Sequence, residues 1–331
     1  MELKNKFASV KSVIEQKLFN KRFPLIISWT LSNRCNRKCR YCNLPNIKCQ
    51  ELTTEEVLKT IDELKDNGTH RIGFTGGEPL LRKDIGKIIS YCKSKGIFVG
   101  VVSNGSLVKE RIRQLKDLDL LHLSLDGREK INDKQRYIGS YKGVIEAICA
   151  AKEQGIRTWI TYVITKENTD KEDYMHVLDL AKDFGLKIFF QPVVTYKNCG
   201  EYSESLSPKI SDFREMIRCL ISEKKRNREI GNSLEGLKQL YHWPNLKNLS
   251  VRCHAGRLMA HIYPNGDMYP CFNLIYHKTK NVKQGVKNVF DSMDRYEVNK
   301  CDGCWTYATI EFNLLLSLNP SAIMNTSALL R

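Results

Sequence analysis

Leu25-Ile26-Ile27-Ser28-Trp29-Thr30 leads, through residues 31–34, into Cys35-Asn36-Arg37-Lys38-Cys39-Arg40-Tyr41-Cys42. The first six residues read as a short apolar strand. The three thiols that follow are spaced four and then three apart, and they converge if the loop coils even loosely. Outward from this stretch, strand and helix patterns alternate. Further strand candidates are Arg71–Phe74, Ile97–Val102, Leu120–Leu125, Ile156–Ile164 and Lys187–Pro192. Thr53-Thr54-Glu55-Glu56 reads as a capping box, and Gly68, Gly96, Gly155 and Gly185 stand where helices should stop. Six βα units in sequence imply an α/β fold, with a parallel sheet and helices outside it: a partial barrel or a doubly wound sheet. Chemistry in such folds belongs on loops at the carboxyl ends of strands, which is where the cysteines lie.

Composition sets the outer limits. The chain has 331 residues, 42% hydrophobic and 27% charged, enough for one large α/β domain with an appendage. No apolar run reaches the roughly 18–20 residues of a membrane span. The N-terminal residues lack the apolar core and cleavage site of a signal peptide, so a cytoplasmic chain is expected. Lys+Arg 53 against Asp+Glu 37 gives a net charge of +16, spread along the chain and not packed in one block. Twelve cysteines are too few for a small disulfide scaffold of this length, and in a reducing compartment clustered thiols point to metal or redox chemistry.

Three thiolates complete neither a closed zinc site nor a fully ligated four-iron cluster; they leave one iron open to substrate chemistry. Structural zinc completed by a distant ligand is the plain alternative. Thr75-Gly76-Gly77-Glu78-Pro79 follows at the end of the second strand. Its two glycines let the backbone approach a ligand, and Glu78 can pair with an ammonium group.

With these residues the sequence resembles the radical S-adenosylmethionine (radical SAM) enzymes. Their Cys-x3-Cys-x-aromatic-Cys signature is met by Cys35, Cys39, Tyr41 and Cys42, and their Gly-Gly-Glu-Pro element by Gly76, Gly77, Glu78 and Pro79. The resemblance spans roughly residues 23 to 310. It implies a partial (β/α)6 TIM-like barrel, a [4Fe-4S] cluster on Cys35, Cys39 and Cys42, and S-adenosylmethionine on the open iron. One electron then cleaves that cofactor to methionine and a 5′-deoxyadenosyl radical. It further implies S-adenosylmethionine contacts for Tyr41, Asn104, Ser124, Asp126 and Arg136; for the last four the plain alternative is loop capping and turn chemistry.

A second group lies toward the C-terminus. Cys253 precedes an expected hairpin, Arg257–Tyr263 and Met268–Cys271 joined by Asn265-Gly266. Cys271 ends that hairpin, and Cys301 and Cys304 follow a helix expected over Val286–Val298. The pattern resembles the SPASM/twitch auxiliary domains, with four cysteines as in the shorter twitch form. Four thiolates close a second [4Fe-4S] cluster completely, so it carries electrons; zinc would use the same ligands. Where peptide- and sulfatase-maturing relatives often carry an aspartate after the hairpin cysteine, this chain has Phe272. The N-terminal part is also expected to be too small to read a peptide leader.

The expected division is a basic amphipathic helix over 1–22, the radical SAM core over 23–232, the auxiliary β-hairpin/helix domain over 233–311 and a tail over 312–331. The N-terminal helix packs on its own domain or touches a membrane surface. Cys92 and Cys149 are expected to be buried, Cys49 and Cys199 have no ligand spacing, and His254 and His261 have packing or hydrogen-bonding roles. The expected reaction is oxidative C–H functionalisation of a small molecule, lipid or peptide, reduced by a partner such as flavodoxin or ferredoxin. The alternatives are adenosyl transfer or carbon–carbon bond formation on a lipid, motivated by Arg22-Phe23-Pro24, and a metal-stabilised nucleic-acid binder drawing on the net charge. The last leaves Gly76–Pro79 beside a three-cysteine loop unexplained. No catalytic acid or base is legible.

Overall fold

The structure, a computed structural model, describes residues 21–193, 205–245, 249–275, 279–293, 298, 301 and 304–329. The helix expected over 1–22 lies outside them but for its last two residues, as does Cys199. Strands β1 (Ile26–Ser32), β2 (Arg71–Gly76), β3 (Phe98–Ser103), β4 (Leu120–Ser124), β5 (Thr158–Ile164) and β6 (Lys187–Pro192) pair in chain order, every pair parallel. Helices α1 (Thr54–Asp66), α2 (Ile85–Ser94), α3 (Glu129–Gln135), α4 (Ser140–Glu153), α5 (Lys171–Phe184) and α6 (Ile210–Glu223) fill the connections. The capping box forms: Thr53 accepts from the Glu56 N–H, and Glu56 accepts from the Thr53 N–H. Gly185 ends α5 at φ +71°, a left-handed turn that a side chain disfavours.

Alternation along the strands divides the molecule. One phase (Ile27, Trp29, Ile72, Phe74, Val99, Val101, Leu121, Leu123, Ile160, Tyr162) is buried against Val57, Ile61, Ile88 and Val144 of the helices. Each such side chain contributes about 1.5–3 kcal/mol when fully buried. The other phase faces inward. Arg71, Gly73, Thr75, Phe98, Val102, Ser124, Trp159, Thr161 and Gln191 on it keep some accessible surface. The lumen is therefore open in part.

The hairpin forms as β7 (Met259–Ile262) and β8 (Asp267–Tyr269), joined antiparallel, with β9 (Lys280–Asn281) beyond. Its place was not foreseen. β7 pairs parallel with β1, Ser28 opposite His261, so the region continues the core sheet, in the order β6-β5-β4-β3-β2-β1-β7-β8-β9. Beyond α7 (Leu234–Leu240) and α8 (Val286–Asp291), α9 (Tyr307–Leu316) crosses the position where a tail was expected to begin. It lies across the lumen: Tyr307 reaches His122 of β4, and Phe312 stands over Arg71 of β2. α10 (Pro320–Leu329) follows. Cys92 is buried as expected, but Cys149 is exposed. The buried face of α4 is made by Val144, Ala147, Ile148 and Ala151, which turns position 149 to solvent. No helix among the described residues is long and apolar enough to cross a membrane.

Candidate functional site

The cysteine loop leaves the carboxyl end of β1 and is fixed at both ends by hydrogen bonds. Ser32 Oγ and Arg34 Nε donate to Glu51 Oε1 at 2.6 and 2.7 Å, anchoring the entry. Within the loop the Cys42 N–H donates to Cys39 O at 3.1 Å, and the Arg40 N–H to Gln135 O at 2.9 Å. Burial pushes the Cys39 thiol up to about 11; the Arg136 charge opposes the rise, and Cys42 and Cys35 add to it. The Cys35 thiol is likewise raised by burial. The three thiols thus stand close enough to repel as thiolates, a conflict that binding a cationic cluster relieves.

The Gly-Gly-Glu-Pro element sits against this loop, and the two glycines have a reason visible here. A Cβ on Gly76 would lie 2.2 Å from Ser32 O, and one on Gly77 would lie 2.2 Å from Arg34 O. The backbones instead touch: the Gly77 N–H donates to Ser32 O and the Glu78 N–H to Arg34 O, both at 2.8 Å. The close approach expected toward a ligand is thus, in part, a close approach to the cysteine loop itself. Glu78 is wholly buried. Its carboxylate accepts from the Leu80 N–H (3.0 Å), the Asn104 N–H (2.8 Å) and Ser103 Oγ (3.0 and 3.1 Å). Burial raises it to about 7. The expected ammonium partner is not its only employment: Glu78 pins β2 to the end of β3.

Tyr41, Asp126 and Arg136 come together as one buried group. Tyr41 Oη donates to Asp126 Oδ2 at 2.8 Å, and Arg136 Nε and Nη2 reach the same carboxylate at 2.7 and 3.2 Å. The Val163 N–H donates to Asp126 Oδ1 at 2.9 Å. Burial disfavours the Arg136 charge, but Asp126, Tyr41 and Cys39 together outweigh it and the pKa is raised. The aromatic position of the cysteine signature is in this way tied to the ends of β4 and β5. Asn104 Nδ2 donates to Asn36 Oδ1 at 3.0 Å and lies 3.8 Å from Cys35 Sγ. Ser124, half-buried at the end of β4, has a hydroxyl that hydrogen-bonds none of the described residues.

The second cysteine group also assembles. Burial pushes Cys271 up to about 12 and raises Cys304 further; for both, Cys253 and Cys301 add to the rise. Asn313 of α9 places Nδ2 3.8 Å from Cys304 Sγ and accepts the His254 N–H at 2.9 Å. His254 Nε2 meets Ser317 Oγ at 3.1 Å, and His261 meets Ser28 and Thr30 hydroxyls at 3.2 and 3.3 Å, the hydrogen-bonding roles expected of them. Phe272, after Cys271, stacks edge-on against His261, with centroids 5.3 Å apart. Among the described residues no group of three or more His, Cys, Asp or Glu side chains stands close enough to hold one metal ion. Both donor sets, all thiol and mutually repelling, fit an iron–sulfur cluster.

Sequence reasoning missed an inward-facing group below these sites. His122 Nδ1 meets Tyr307 Oη at 2.9 Å, Tyr307 stacks on Phe189 (4.5 Å), and Trp159 stands edge-on to His122 (5.3 Å). Burial, helped by Arg71, pulls His122 down to about 3, so its ring is neutral. The signal was available as polar residues, Arg71 and His122, on the inward phase of apolar strands. A cavity of about 620 Å3 bordered by Lys152, Arg157, Lys187 and Trp159 opens at the opposite end of the strands. It is remote from the cysteine loop, and the cysteines, not that cavity, locate the chemistry.

A parallel partial barrel with a three-thiol loop at the end of β1 defines a class of cluster-bearing protein. Residues 29–194, half of the chain, match the Radical SAM superfamily, and the chain belongs to that superfamily. It is 29% identical over 228 residues to the Fe-coproporphyrin III synthase of Methanosarcina barkeri, covering 66% of this chain and 56% of that protein. It is 26% identical over 262 residues to the mycofactocin maturase MftC of Mycolicibacterium smegmatis, covering 77% of this chain and 66% of that one. The chain thus spans less than two thirds of either relative's length. Streptococcus suis SuiB bound to S-adenosylmethionine shares the fold, with a TM-score of 0.66 and 21% identity over 85% of this chain and 68% of that one. The family implies a [4Fe-4S] cluster and S-adenosylmethionine.

Proposed function

We propose that the protein is a radical SAM enzyme that performs an oxidative C–H functionalisation, with a second, auxiliary [4Fe-4S] cluster of the SPASM/twitch kind taking up or relaying the electron released. Cys35, Cys39 and Cys42 hold the first cluster; Cys253, Cys271, Cys301 and Cys304 hold the second. Loaded with a cluster and S-adenosylmethionine, the site would supply 5′-deoxyadenosyl radical chemistry for hydrogen abstraction from a substrate. Gly76, Gly77, Glu78 and Pro79 shape the cofactor's methionyl end, through backbone groups that Glu78 and the Ser32–Arg34 contact hold in place. Tyr41, Asp126 and Arg136 brace the loop from the other side, and Asn104 and Ser124 face the cofactor.

The observation that carries the oxidative reading is the second set of four gathered thiols. A cluster closed by four protein ligands has no position for substrate, so its use is electron transfer. Phe272 between Cys271 and His261 puts an aromatic contact between that set and the lumen. Two of the matched relatives, a synthase named for Fe-coproporphyrin III and a maturase named for mycofactocin, fit a small-molecule or peptide substrate. A reducing protein such as flavodoxin or ferredoxin supplies the electron. The reading is tested by counting iron in protein reconstituted without air. Wild type should hold about eight irons, and Cys39→Ala and Cys271→Ala about four each, with different electron-paramagnetic signatures. Cys271→Ala should still cleave S-adenosylmethionine. Four irons in wild type, all lost with Cys39→Ala, would remove the auxiliary cluster and with it the oxidative reading.

A further inference from the structure

A half-buried cation that pairs with no carboxylate among the described residues stands at the amino-terminal end of the inward phase. Arg71 opens β2 on the inward phase, its guanidinium 4.4 Å from the ring centroid of Phe98 and 5.2 Å from that of Phe312. Burial pulls its pKa down to about 10, yet the residue keeps accessible surface. Among the described residues its guanidinium makes no ion pair and no hydrogen bond. Asp119, the carboxylate that acts on it electrostatically, is already taken by Lys93 and by the Val99 N–H. Among the described residues its five N–H donors meet no acceptor, and an anionic ligand would supply both acceptors and the opposite charge. The two rings fix the fork in place, so little is lost in ordering it.

The next inward positions above Arg71 on β2 and β3 are Gly73 and Gly100. A Cβ there would meet nothing nearer than 3.9 and 3.6 Å. Neither glycine places a side chain between Arg71 and Thr75. Tyr307 and His122 are both within reach of the Arg71 charge.

Resting on the enzyme reading above, we propose that Arg71 binds an anionic group of the substrate, a carboxylate or a phosphate, at the floor of the lumen and so holds the reacting carbon up toward Ser124. The planar guanidinium matches either anion with two parallel hydrogen bonds. At about 3.3 Å per residue, Arg71 and Thr75 are roughly 13 Å apart, which leaves space for a substrate on the order of 10 Å long.

The test uses the reconstituted full chain with S-adenosylmethionine present. Inorganic phosphate or acetate is added at constant ionic strength, with chloride as the blank, and thermal midpoint and calorimetric binding are read. Wild type should melt higher with one of the two anions, and which one separates phosphate from carboxylate recognition. Arg71→Met should abolish that response while melting no lower than wild type in chloride, because it removes an unpaired charge. Gly100→Val, which leaves Arg71 in place but adds a side chain at the next inward position on β3, should weaken anion binding at least tenfold. A response that survives in Arg71→Met, no response in wild type, or an Arg71→Met protein that melts well below wild type in chloride overturns the proposal. Wild-type formation of 5′-deoxyadenosine in the same preparations is read separately: its absence sinks the enzyme reading alone, and its presence without an anion response sinks this inference alone.

Discussion

Asp126 shows how much rests on single side chains here. Its carboxylate is wholly buried and holds Arg136, Tyr41 and the Val163 N–H at once. Asp126→Asn leaves the Arg136 charge buried without its partner, which costs about 3–5 kcal/mol. Denaturant midpoints should show that loss, and Asp126→Asn combined with Arg136→Met should recover part of it. Glu78 makes a pH prediction. Its folded pKa, raised to about 7 by burial, lies above the ordinary carboxylate value. Its contribution to stability is therefore complete below about pH 4.5 and is lost as pH rises toward 7, a total of about 3 kcal/mol. Wild-type stability should decline across that window, and Glu78→Gln should flatten the decline. At this scale the sequence named the residues but not their attachments. Tyr41, Asp126 and Arg136 were each expected at a cofactor; that they meet each other depends on three separated loops converging, which no local pattern records.

At the scale of elements, contact between two loops decides the site. Gly77 meets the Arg34 carbonyl so closely that a Cβ would lie 2.2 Å from backbone, which no side-chain rotation relieves. Gly77→Ala should push the cysteine loop away and lower iron at the three-cysteine site while sparing the four-cysteine site, as read from iron content and cluster spectra. Equal loss at both sites would mean general misfolding instead. Removing the α1 cap, Thr53→Ala, should cost about 1 kcal/mol and leave both clusters intact. Strands and caps were legible because alternation and capping residues are local. All six core strands were found, Lys187–Pro192 at both ends, and no end of the others was misplaced by more than two residues. Cys149 went astray because a helical pattern gives a period, while the packing partner selects the buried phase.

Across the whole molecule, one sheet joins both cysteine sets. β1 carries the first set at its carboxyl end and pairs on its other edge with β7, which leads into the hairpin of the second. That pairing spans more than two hundred residues and left no trace in the sequence, which gave the hairpin as a separate addition. α9 was invisible for a similar reason: its meaning lies in crossing the lumen, where Tyr307 meets His122 and Phe312 meets Arg71. On the proposed function, the inward phase under the cysteine loop is where a substrate would meet the cofactor, and that reading depends on radical chemistry occurring there. The direct measurement is 5′-deoxyadenosine, by mass spectrometry, from anaerobically reconstituted protein given S-adenosylmethionine and dithionite, with Cys39→Ala alongside. Formation by wild type and none by the variant is the predicted result; equal amounts from both, or a wild type that binds zinc in place of iron and forms none, would contradict it.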